Sequence, residues 1–112
     1  VSGWIGVDLD GTLAIYEGWK GADHIGAPVP RMLARVRAWL ETGRTVKIFT
    51  ARVAIAEPER STAIRVIHEW LEKHGLPRLD ITNVKDLTMV ELWDDRAVGV
   101  IANTGERMDG RP

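Results

Sequence analysis

Two aspartates one residue apart are the side chains best suited to chemistry. They are Asp8 and Asp10, in the run Val7-Asp8-Leu9-Asp10-Gly11-Thr12-Leu13. An apolar stretch (Trp4, Ile5, Val7, Leu9) leads into these two carboxylates, a glycine and a threonine. In an extended chain alternate side chains share a face, so both carboxylates project to the same side. Gly11 then lets the chain turn sharply beyond the strand. Carboxylates this close repel each other unless a cation or a shared proton lies between them. The arrangement suits a Mg²⁺ site in which one carboxylate binds metal and attacks as a nucleophile while the other handles protons.

Apolar periodicity indicates what must position these groups. Trp4 to Leu9 reads as a first strand whose nearly unbroken apolar run suits burial on both faces. Gly11 to Val29, with Gly18, Gly21, Gly26 and Pro28, reads as loop with room for a short hairpin; Tyr16, Trp19 and His24 lie on it, the aromatics expected to pack the loop onto the domain, with stacking on a substrate ring as the alternative. Pro30 opens a helix in which Met32, Leu33, Val36, Trp39 and Leu40 recur at helical spacing, and Gly43 stops it. Thr45 to Thr50 is a second strand. A second helix begins near Pro58 or Ser61 and ends at His74, burying Ala63, Val66, Ile67, Trp70 and Leu71. His68 and His74 read as surface residues on it.

Leu79 to Thr82, Val90 to Trp93 and Ala97 to Ala102 read as third, fourth and fifth strands, and 103–112 as a polar tail that crosses the sheet edge or frays. Alternating strands and helices predict an α/β domain with a parallel sheet covered by helices on both faces. Right-handed crossovers place the carboxyl ends of the strands on one rim, where ligands bind. Asp8, Thr50 and Asp94 each fall at or just after such an end.

Composition narrows the field. With 112 residues there is one core, a single domain over 1–112. Fifteen basic and 16 acidic residues leave no field to gather nucleic acid or anionic membrane. Without cysteine there are no disulfides, thiolate metal sites or thiol nucleophiles, which fits a reducing, cytoplasmic setting. No apolar run is long enough to span a bilayer.

The run Asp8-Leu9-Asp10-Gly11-Thr12-Leu13 resembles the first motif of the haloacid dehalogenase-like phosphohydrolases. Thr50 in Phe49-Thr50-Ala51-Arg52 resembles their second motif, Lys85 in Val84-Lys85-Asp86 their third, and Trp93-Asp94-Asp95-Arg96 their fourth. The resemblance implies a Rossmann-like three-layer sandwich with a five-stranded sheet in order 3-2-1-4-5. It also implies a mobile squiggle and flap after the first strand. Mg²⁺ would be held by Asp8, Asp94 and the main-chain carbonyl of Asp10, with Asp95 behind them orienting metal waters. Asp8 would form an aspartyl-phosphate and Asp10 would serve as acid and base. Thr50 and Lys85 would bind the phosphoryl group. Which of Asp94 and Asp95 touches the metal stays open, Asp94 being favoured.

Two spacings depart from the usual pattern. Only eight residues separate Lys85 from Asp94, too few for an intervening helix. If Lys85 leaves the rim, Arg52 takes over as the phosphate cation. Neither Asp10 to Pro30 nor Thr50 to Lys85 has room for a cap domain. A capless rim admits a large or nucleic-acid-type phosphoester, the latter unsupported by net charge, or is covered by a second copy of the chain. The expectation is a Mg²⁺-dependent phosphomonoesterase. The alternative is a non-hydrolytic phosphate-binding or phospho-accepting module of the same fold.

Overall fold

Every residue of the first strand, β1 (Trp4–Val7), is buried, and the rest of the chain is arranged about it. The computed structural model describes residues 2–112. In chain order β1 is followed by α1 (Pro30–Glu41), β2 (Thr45–Phe49), a 3₁₀ turn (Ala51–Val53), α2 (Glu59–Lys73), β3 (Ile81–Thr82) and β4 (Met89–Trp93). The sheet has four strands in order β3-β2-β1-β4, all paired in parallel.

Register decides which face each side chain serves. Ile5 lies beside Val46, and Val7 beside both Ile48 and Trp93, so these residues share one face. That face carries the core. Ile5, Val7, Val46 and Ile48 pack with Met32 and Val36 of α1 and with Ile67, Trp70 and Leu71 of α2. Trp39 of α1 meets Trp93 of β4 at 5.2 Å between ring centroids. Truncating a fully buried residue such as Ile48 should cost about 2–5 kcal/mol. Pro30 starts α1, where its missing N–H leaves no bond unmade. Gly43, at φ +81°, takes the left-handed turn that leads into β2.

The three-layer expectation is therefore corrected to two layers. Successive right-handed crossovers from β1 to β2 to β3 step in one direction, which puts both helices on the same side. A helix between β3 and β4 would be needed to cover the other face, and residues 83–88 are too few to form one. On that uncovered side Trp4 is shielded by Lys47, whose ammonium lies 4.7 Å from the indole centroid.

The fifth strand is also absent among the described residues. Only three residues separate Trp93 from Ala97, whereas parallel neighbours need a crossover of about a dozen or more. Residues 99–108 instead close on themselves. Ile101 N–H donates to Glu106 O at 2.8 Å and Met108 N–H to Gly99 O at 2.9 Å. The expected loose tail is thus folded back as one arm of a hairpin, turned by Asn103 and Gly105, both at positive φ. No helix among the described residues is long and apolar enough to cross a membrane.

Candidate functional site

Asp8, Thr50 and Asp94 each directly follow the last residue of a strand, β1, β2 and β4 respectively. Parallel pairing brings those ends onto one rim. There a cavity of about 530 Å³ is lined by Asp8, Asp10, Thr50, Arg52, Asp94 and Asp95 among others. The backbone joins the two acidic segments, since Asp8 N–H donates to Trp93 O at 2.9 Å. Carboxylate oxygens of Asp8, Asp94 and Asp95 all lie within 4.8 Å of one another.

Thr12 and Gly11 make that approach possible. The Thr12 hydroxyl accepts from the Asp95 N–H at 3.0 Å and lies 3.2 Å from Asp95 Oδ1 and 3.4 Å from Asp8 Oδ2. It can donate to one of these carboxylates at a time. Gly11 has φ +88°, and a Cβ there would sit 2.6 Å from Asp95 Oδ2. The glycine thus serves both the turn and the room for a neighbouring carboxylate.

Burial pushes the Asp8 carboxyl up from the ordinary 3.8 to about 7. A hydrogen bond with Asp95 and the charges of Asp94 and Asp95 add to the rise, and the Leu9 backbone N–H opposes it. Asp8 is thus held where ionisation is costly, beside two further acids.

Asp10 stands apart from this cluster. Its carboxylate accepts two hydrogen bonds from Arg52, from Nε at 2.7 Å and from Nη2 at 2.9 Å. Arg52 is 5% exposed and also donates to His24 O at 2.8 Å and to Ala22 O at 3.5 Å. Its guanidinium carbon lies 4.9 Å from the Trp19 ring centroid. One side chain therefore ties the loop after β1 to the end of β2. Next to it, Thr50 Oγ1 accepts from Arg52 N–H at 3.1 Å, which leaves the hydroxyl proton free to donate elsewhere.

Lys85 is not brought to the cavity. Its neighbour Asp86 accepts from Trp4 Nε1 at 2.9 Å, and Trp4 begins β1 at the end away from the rim. The chain drops straight from the top of β3 to the foot of β4, and exposed Lys85 rides on that descent. Asn83 and Arg96 line the cavity in its place. Among the described residues no carboxylate lies within ion-pair distance of Arg96. Sequence reasoning missed both, although the position of Arg96 three residues past a strand end was a usable signal. Asp95, expected behind the metal ligands, sits within the carboxylate cluster itself. Tyr16 and Trp19, expected to pack their loop onto the domain, are 40% and 54% exposed and form part of the cavity wall.

Fold and rim together define a parallel α/β domain with an acidic cluster in a cavity at the carboxyl ends of its strands. No family model and no curated protein matches the chain. Among solved structures it is similar to a conserved protein of Bacteroides thetaiotaomicron, at 22% identity and a TM-score of 0.62. The match covers 90% of this chain and 82% of that one, and it shows a shared fold.

Proposed function

We infer that this chain is a Mg²⁺-dependent phosphomonoesterase of the haloacid dehalogenase-like kind, working through an aspartyl-phosphate. The observation that carries the reading is the convergence of Asp8, Asp94 and Asp95 to within 4.8 Å in a cavity that also holds Thr50 and Asp10. The donor set fits the ion. Its carboxylates are hard oxygen ligands, and a cluster in which burial and neighbouring acids oppose ionisation of Asp8 is one that a divalent cation relieves. Asp8, Asp94 and Asp95, with the Asp10 main-chain carbonyl, would hold it. When bound, Mg²⁺ supplies charge neutralisation for the phosphate and for the three acids.

The chain's own residues supply the rest. An Asp8 carboxylate oxygen attacks phosphorus as the ester P–O bond breaks, and the Asp10 carboxyl gives its proton to the departing alkoxide. Asp10 then takes a proton from the water that attacks the aspartyl-phosphate, releasing inorganic phosphate and restoring Asp8. The Thr50 hydroxyl and the Arg96 guanidinium donate to the phosphoryl oxygens as charge develops there. For this sequence Asp10 must leave the Arg52 fork.

That fork favours a second reading. While Arg52 holds Asp10, Asp8 can accept a phosphoryl group that no base helps to remove, which is the behaviour of a phospho-accepting module. Assay with p-nitrophenyl phosphate and Mg²⁺ separates the two. Multiple turnover abolished by EDTA and by Asp8→Asn supports the hydrolase. A stable phosphoryl adduct on Asp8 without turnover supports the module, and the absence of both turnover and adduct removes both readings.

A further inference from the structure

We propose that the cavity selects phosphomonoesters whose leaving alcohol carries a planar aromatic ring, of the size of a nucleoside 5′-monophosphate, by stacking that ring on Trp19. The proposal rests on the hydrolase reading for its phosphate end but not for its ring end. Two aromatic side chains on one loop, Tyr16 and Trp19, face the cavity while keeping 40% and 54% of their surface exposed. A loop aromatic that merely anchored its segment would be buried. These stay wet in a cavity to which Ala54 and Ile55 add apolar surface.

Trp19 is also held in place. Its ring is covered on one side by the Arg52 guanidinium at 4.9 Å, and Arg52 is itself fixed by four hydrogen bonds to Asp10, Ala22 and His24. An indole held by a buried cation with four of its five N–H donors engaged loses little further freedom when a second flat group meets it. The size of the cleft points the same way. About 530 Å³ lies within the range of about 300–1,000 Å³ typical of small-molecule sites. It has room for one phosphorylated sugar and its ring. Asn83, on the cavity wall, presents an amide able to pair with a ring's polar edge. The loop thus brings aromatic surface to the rim, which favours a small aromatic ester over a bulky macromolecular one.

Adenosine 5′-monophosphate and ribose 5-phosphate share phosphate and sugar and differ in the ring, which makes them the probes. Calorimetric titration of the Asp8→Asn protein in Mg²⁺ should show the nucleotide binding about ten-fold or more tightly than the sugar phosphate, the factor expected of one stacked base. Adding Trp19→Ala should collapse that ratio to near one, and Trp19→Phe should restore most of it. Thermal unfolding confirms that each variant is folded. In the active protein the same ratio should appear in kcat/KM. Equal binding of the two probes, or a preference untouched by Trp19→Ala, overturns the proposal. A Trp19-dependent preference in a protein without turnover leaves the ring site standing and removes the hydrolase reading. Turnover of both esters at equal kcat/KM does the reverse.

Discussion

Replacing Asp8 by asparagine should make the metal-free protein more stable at neutral pH, although it removes the proposed nucleophile. The folded-state carboxyl is raised to about 7 from 3.8, so between these values the native state binds more protons than the unfolded chain. Stability then falls as pH rises through that window and levels off above it. A shift of about three units would correspond to about 4 kcal/mol at full strength. Asp8 is only half-buried, and solvent screening reduces the expected value to about 1–2 kcal/mol. For a domain of this size that is about 4–8 °C in Tm. Thermal unfolding in EDTA should show the variant's advantage near zero at pH 4 and complete by about pH 8. Adding Mg²⁺ at pH 8 should stabilise the native protein and shrink the difference. An Asp8→Asn protein less stable than the native one in EDTA, or an advantage that does not change with pH, would refute the electrostatic account of the cluster.

Other perturbations test separate parts of the site. Arg52→Met leaves the Asp10 carboxylate and two loop carbonyls without their donor, and chemical denaturation should show a loss of about 3 kcal/mol, partly recovered by Asp10→Asn in the same chain. Gly11→Ala forces a Cβ to 2.6 Å from Asp95 Oδ2 at a positive φ. It should cost about 1–3 kcal/mol and weaken Mg²⁺ binding in calorimetry at least ten-fold. Arg96→Ala should raise KM for a phosphomonoester several-fold, whereas Lys85→Ala should leave steady-state kinetics unchanged. The reverse result would return the phosphate cation to the third motif.

Some of this site is legible in the sequence because it depends on local rules. Alternation in an extended chain, a glycine at a turn and an apolar run that stops at an acid are encoded over a few neighbouring residues. Asp8, Thr50 and Asp94 could accordingly be assigned to strand ends, and parallel strands carry those ends to a common rim. Lys85 failed for a reason that was partly visible. Its spacing from Asp94 already strained the expectation, and the Trp4–Asp86 bond shows how the chain relieves that strain by descending at once. Segment 97–102 failed because its apolar content reads as a strand while the three residues before it cannot make a parallel crossover. Its hairpin bonds form between near neighbours and need no such connection.

Sequence alone therefore determined the parallel α/β character, both helices, the positions of the strand ends and the acidic identity of the rim, since periodicity and chain geometry act over short distances. Tertiary structure alone decided that both helices share one face, that Asp95 joins the carboxylate cluster and that Arg52 clasps Asp10 while stacking on Trp19. Those outcomes depend on how residues as far apart as Asp10 and Arg52, or Gly11 and Asp95, compete for the same few ångströms of space. No local pattern carries that information, because the competition exists only once crossovers have brought the segments together.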